Sequence, residues 1–357
     1  MAQLKIGCTA DGDATLRAER FNRHTFWCGQ SGSGKTYALG VVLEQLLLRT
    51  RLPMLILDPN ADFVGLGSPR DGADEAAAAR IHAADIRVLQ SSAGDGEPLR
   101  VRFVDLDLRS KGAVLRLDPV AHPDEYNVLL HLEDEFGPMG EQGLLEALRA
   151  SDVMGRRKLA VRIENLRVLD WDLWARGGNA AEDVVEARPD AVVLELSGFA
   201  YRDEPSVAAL SVLDHLWARR HERNPMLIVI DEAHNLCVPN PVTPLETALT
   251  DRISQIAAEG RKYGLWLLLS SQRPSKIHPN VISQCDNLAL MKMSSSRDLA
   301  ELTDVFGYVS PDLIARSPGF GLGEGLFAGG FIASPTIVRM GARLTHEGGT
   351  DVKVPLR

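Results

Sequence analysis

Short runs of consecutive apolar residues recur along the chain, each stopped by a polar or turn-forming residue. Residues 25–28, 53–57, 191–196, 226–230 and 265–270 have the length and continuity of strands buried on both faces. Between them, apolar positions recur at helical spacing over 37–49 and 207–221, and 76–84 is an Ala-rich helical stretch. Residues 86–89 and 99–103 read as further short strands, and 1–24 as strand-forming pieces around a turn at Asp11-Gly12-Asp13. Strands alternating with helices predict an α/β fold with a mostly parallel sheet. Residues 120–190 break the rhythm. They are helix-biased, acidic in their first part, with turn residues at Gly137-Pro138 and Gly177-Gly178, and read as a helical insertion or subdomain.

Composition narrows the class. With 357 residues, 45% of them apolar and 24% charged, the chain has the makeup of an ordinary globular protein. The net charge of −9 excludes a generally basic nucleic-acid binder. Residues 251–300, however, hold seven Lys or Arg against four acids, a net +3 that leaves −12 for the remainder. Arg252, Lys276 and Arg297 in that window are candidate phosphate contacts. Cys8, Cys28, Cys237 and Cys285 form no CxxC pair, so a zinc site or a disulfide framework is not expected. No apolar run approaches the roughly 20 residues of a membrane span, and the N-terminus carries no signal-peptide pattern. A cytoplasmic protein without a membrane partner is expected.

The first chemistry-bearing motif is Gly29-Gln30-Ser31-Gly32-Ser33-Gly34-Lys35-Thr36, a full G-x-x-x-x-G-K-[ST] between a predicted strand and a predicted helix. Its glycines let successive N–H groups face one anion, and the helix N-terminus adds positive potential there. Lys35 is expected to reach the β- and γ-phosphates, and Thr36 to place its hydroxyl on Mg²⁺.

The second is the apolar run 226–230, ended by Asp231-Glu232-Ala233-His234. Two acids ending a buried strand are costly without a cation or polar partner. Asp231 is the expected metal ligand and Glu232 the expected polariser of the attacking water. The Asp-Glu-Ala-His string invites a superfamily 2 helicase reading. Against it stand some 195 residues between Thr36 and Asp231, and Gly260-Arg261-Lys262-Tyr263 in place of that family's Arg-rich motif. No NKxD sequence marks guanine recognition. The third is Gln272, which ends the strand 265–270 and suits a γ-phosphate sensor on a strand inserted between the other two. These three motifs divide the chain: 1–119 would be the first part of the ATPase core, with the phosphate loop. Residues 120–190 would be the insertion, and 191–357 the rest of the core with the acidic strand, sensor strand and tail.

The order Glu259-Gly260-Arg261-Lys262-Tyr263-Gly264, Ser271-Gln272-Arg273-Pro274 and Ile282-Ser283-Gln284-Cys285-Asp286-Asn287 resembles the HerA family, of the RecA-like ATPases with an additional strand and a catalytic glutamate. His24, the segment Asp58-Pro59-Asn60-Ala61-Asp62-Phe63, Leu194 to Phe199 and the tail Thr345-His346-Glu347-Gly348-Gly349 agree, so the resemblance spans roughly 22–350. Two departures stand out: 28 residues precede Gly29, too few for the family's N-terminal β-barrel, and Asp62 replaces the more usual Glu. The resemblance implies a homo-hexameric ring hydrolysing ATP with Mg²⁺ at subunit interfaces and translocating duplex DNA. Arg261 would be the arginine finger, with Lys262 the competing candidate at the same turn. A ring that scaffolds a separately encoded effector such as a nuclease, or a secretion or conjugation motor, is the alternative.

Overall fold

The structure, a computed structural model, describes residues 2–92, 94, 96–136 and 141–348. The turn expected at Gly137-Pro138 and the last residue of the expected tail, Gly349, lie outside them. The chain opens with a hairpin, β1 (Gln3–Thr9) and β2 (Gly12–Arg17), built on the expected turn. Then come β3 (His24–Cys28), α1 (Lys35–Arg49), β4 (Met54–Asp58), α2 (Glu75–His82), β5 (Ile86–Gln90) and β6 (Glu97–Pro98). A helical stretch follows: α3 (Leu108–Val114), α4 (Pro123–Phe136), α5 (Glu141–Ala150), α6 (Met154–Leu166) and α7 (Ala181–Glu186). The α/β rhythm resumes with β7 (Ala191–Glu195), α8 (Glu204–Ala218), β8 (Met226–Ile230), α9 (Pro244–Glu259) and β9 (Leu265–Ser271). Three strands close the fold, β10 (Cys285–Met291), β11 (Glu324–Gly329) and β12 (Thr336–Met340).

All twelve strands join one sheet in the order β2-β1-β12-β11-β10-β3-β9-β8-β4-β7-β5-β6. From β10 to β6 every pairing is parallel, and from β10 back to β2 every pairing is antiparallel. The central strands β3, β4 and β8 are buried at every position. Apart from His24, Thr25 and Asp58 they are apolar, because helices cover both sheet faces. Alternate residues serve opposite cores, as the two-residue strand period requires. Phe26, Leu55, Leu57, Ile228 and Ile230 pack toward α3–α9, while Trp27, Ile56, Leu227 and Val229 pack toward α1 and the hairpin.

The strand expected at 99–103 is not one. Val101 makes an isolated parallel bridge to Trp174, and Phe103–Asp105 is a 3₁₀ turn. The Val101 N–H donates to Leu173 O (2.8 Å), tying this part of the segment to the helical stretch, while the Leu99 N–H donates to Gln90 O of β5 (2.5 Å). Arg100 and Arg102 flank Val101 and are held by Asp172 and by Asp183. The apolar alternation there serves a single bridge.

Candidate functional site

In a parallel sheet the loops at the carboxyl ends of neighbouring strands converge, and here the expected chemistry converges with them. The loop after β3 curls through Gly32 (φ 73°) and Gly34 (φ 82°), both left-handed, which glycine adopts without penalty. Gly29 is packed so closely that a Cβ would lie 2.6 Å from Met291 Cβ. The loop is pinned by Gln30 N–H to Lys292 O (2.8 Å) and Ser33 N–H to Gln30 O (3.1 Å). Its end, Gly34, caps α1 without a side-chain hydrogen bond, and the first turn of that 15-residue helix holds no acid. Unpaired N–H groups and the helix dipole therefore face the loop, an arrangement suited to an anion. Gln30 and Thr36 are half-buried, Ser33 is buried, and Ser31 and Gly32 are exposed at the rim.

Lys35, buried, stretches across to the ends of β8 and β9. Its Nζ donates to Asp231 Oδ1 (3.1 Å) and Ser270 Oγ (2.8 Å), and lies 3.0 Å from Glu232 Oε1. Burial opposes the lysine charge, but Asp231 and Glu232 outweigh it and hold its pKa above the ordinary value. Glu232 sits at φ 43°, a strained conformation for a non-glycine residue, of the kind that concentrates at functional sites. Gln272 Nε2 donates to Glu232 Oε1 (2.7 Å), and His234 Nδ1 lies 3.1 Å from both Glu232 Oε2 and Ser271 Oγ. Burial pushes the Glu232 carboxyl up. The His234 and Gln272 hydrogen bonds and the Lys35 charge outweigh it, leaving the pKa at about 2. Glu232 is thus ionised and aimed, the state a water-polarising base needs.

β9 lies between β3 and β8, so the strand carrying Gln272 is inserted between the strands of the phosphate loop and the acidic pair, as expected. Lys35, Thr36, Asp231, Glu232 and Gln272 therefore gather at one end of the sheet. Arg261 does not join them. It lies in the 3₁₀ turn Gly260–Tyr263 before β9, at the opposite end of a seven-residue strand, and its Nη1 donates to Asp286 Oδ2 (2.6 Å). At about 3.3 Å per residue, a separation on the order of 20 Å bars it from its own chain's phosphate loop. Lys262 shares that turn. His24 is buried nearby, where its Nδ1 accepts the Leu267 N–H (2.9 Å); burial, then the charges of Arg261 and Arg23, hold it down at about 4. It is a neutral acceptor tying β3 to β9.

Sequence reading missed Ser270 as a partner of Lys35 and gave Asp58 and Asp62 no chemistry. One oxygen each from Asp58, Asp62 and Asp231 lie within 4.8 Å of one another. Burial, then Asp231 and Asp58, push Asp62 up to about 7; burial, partly offset by backbone N–H groups, pushes Asp58 up to about 6. The candidate phosphate contact Arg252 is withdrawn: its guanidinium is mostly buried between Asp214 (2.6 Å) and Asp107 (2.8 Å). Lys276 and Arg297 are exposed, as is Arg273.

This fold and site define a P-loop ATPase with a RecA-like core and an additional strand between its two phosphate-handling strands. Residues 4–130 match the family model "Helicase HerA, central domain". Over that span the chain is similar to HerA-type ATPases. It is 23% identical over 371 residues to a probable helicase of Methanocaldococcus jannaschii, covering 98% of this chain and 69% of that protein. It is 24% identical over 384 residues to the DNA double-strand break repair helicase HerA of Pyrococcus furiosus, covering 90% of this chain and 66% of that protein. A probable HerA of M. jannaschii is 30% identical over 130 residues, spanning 25% of its length. Among solved structures, VirB4 of Thermoanaerobacter pseudethanolicus superposes with a TM-score of 0.66 at 17% identity, covering 96% of this chain and 97% of that one. The plasmid coupling protein TrwB, bound to a GTP analogue, gives 0.58 at 14%, covering 97% and 91%. Both bear on the fold.

Proposed function

We propose that the chain is an ATP-driven ring motor that assembles as a homo-hexamer and translocates duplex DNA. The observation that carries this reading is the buried convergence of Lys35, Asp231, Glu232 and Gln272 before the uncapped N-terminus of α1. In this reading residues 29–36 cradle the phosphates of ATP. Lys35 leaves Asp231 and Glu232 for the β- and γ-phosphates, and Glu232, kept ionised, takes the proton of the attacking water while Gln272 orients it. The metal fits: Asp231 keeps a buried Oδ2 without a hydrogen-bond partner, and the Thr36 hydroxyl is half-buried beside the loop. Mg²⁺ held there would neutralise charge on the β- and γ-phosphates. Arg261, remote from its own loop, would reach a neighbour's nucleotide in a head-to-tail ring. Arg273, Lys276 and Arg297, exposed beside the ends of β9 and β10, are the candidate DNA-phosphate contacts. Such contacts give salt-sensitive binding with little base preference.

Phosphate release with and without linear duplex DNA tests this. Turnover is expected to rise with DNA and to fall again as salt is raised from about 50 to 200 mM. Arg261→Ala is expected to bind ATP yet turn over at least about 10²-fold more slowly, the loss of a trans-acting arginine. Turnover indifferent to DNA would contradict the DNA motor, and full turnover by Arg261→Ala would contradict the shared site.

A further inference from the structure

Asp62 has no part in the reaction described so far, yet its carboxylate reaches the acid that ends β8. β4 and β8 are sheet neighbours, so Asp58, at the end of β4, lies beside Asp231. The loop after β4 then turns back over them. Asp58 shapes that turn: its Oδ1 accepts the N–H groups of Asn60 (3.3 Å) and Asp62 (3.0 Å), and its Oδ2 that of Phe63 (2.8 Å).

The main chain of Asp62 is fixed from the other side by the C-terminal segment. Its carbonyl accepts Gly348 N–H (3.2 Å) and Arg343 Nη2 (3.4 Å). A side chain at Gly348 would collide with Ala61 O, so the two segments are in van der Waals contact. The result is three carboxylate oxygens within 4.8 Å of one another, with Asp58 and Asp231 fully buried.

Three like charges so close repel strongly in a buried site. Lys35 answers one oxygen of Asp231, while the other is buried without a partner. A spread of up to 4.8 Å is also what oxygens arranged around one small cation span, directly or through its waters.

We propose that Asp62 completes the divalent-cation site begun by Thr36 and Asp231, holding the cation through its coordinated waters with Asp58 fixing the loop behind it. Mg²⁺ retains several waters at protein sites and uses one or two direct carboxylates, so an outer acid that orients those waters is physically apt. The role rests on the Mg·ATP reading above. It makes Asp62 a positioning residue and gives the tail segment 343–348 a function, to hold the Asp62 loop in register with β8.

The test is Mn²⁺ binding to the full chain, read by electron paramagnetic resonance with a non-hydrolysable ATP analogue bound. Asp62→Asn is expected to weaken Mn²⁺ about 10-fold or more, and Asp62→Glu, which keeps the carboxylate, to restore it. Metal-free affinity for the analogue should not fall in Asp62→Asn, since the charge removed is one that repels phosphate. Without cation, Asp62→Asn should melt at or above the unaltered chain, because one repelling charge is gone; added Mn²⁺ should raise its Tm less. Unchanged Mn²⁺ affinity in Asp62→Asn, or equal loss in Asp62→Glu, would overturn the proposal while leaving the ATPase reading intact. Failure of the unaltered chain to bind the analogue would overturn the ATPase reading itself.

Discussion

Glu232 is held by three neighbours at once, Lys35, Gln272 and His234, and its backbone is strained to φ 43°. A carboxylate kept at about pKa 2 can accept a proton only as the reaction proceeds, with its geometry already set. Glu232→Gln keeps the shape and removes the charge. ATP is expected to bind, with turnover falling by roughly 10²-fold or more, read as phosphate release beside nucleotide affinity. Normal turnover would assign the water to another group. Lys35, Thr36, Asp231 and Glu232 were legible because each sits in a short contiguous motif whose flanking strand and helix are also legible. Ser270, Asp58 and Asp62 were not read as chemistry, because a serine or an aspartate at a strand end is common. Only the sheet order, which sets β4 and β9 on either side of β8, brings them to the same place.

The elements read best were those built on continuous apolar runs, since the runs in β3, β4 and β8 can sit only between two layers of helix. Reading failed where buried polar groups substitute for apolar ones. Glu44, in the middle of α1, and Arg343 and Thr345, in a polar tail, look like surface residues. Yet all three are buried: Glu44 accepts the N–H groups of Leu344 (2.8 Å) and Thr345 (2.9 Å) and the Thr345 hydroxyl (2.6 Å), and its Oε1 lies 3.5 Å from Arg343 Nε. This clasp binds the C-terminal segment to α1, and Gly40 leaves room for it, since a Cβ there would lie 2.6 Å from Arg343 Nε. Removing one partner strands a buried charge. Glu44→Ala is expected to cost about 3–5 kcal/mol in urea unfolding, far more than an exposed helical glutamate. A loss under about 1 kcal/mol, the scale of a surface ion pair, would show that the clasp carries no stability.

Over the whole molecule, charge is sorted by position. The chain carries −9, Arg252 is consumed by Asp107 and Asp214, and the exposed Arg273, Lys276 and Arg297 lie near the nucleotide end of the sheet. Among the described residues no helix is long and apolar enough to cross a membrane. A partner of opposite charge at that end of the sheet is the simplest use of that arrangement, and it agrees with the proposed nucleotide-driven movement along DNA. The alternative, a ring that only organises another protein, needs the ATP site but no movement. The direct measurement is displacement of a triplex-forming strand from linear duplex DNA. Displacement is expected to require ATP and Mg²⁺, to be abolished by Lys35→Ala, and to slow as the duplex run-up before the triplex lengthens. ATP turnover without any displacement, on a chain that binds the duplex, would contradict translocation.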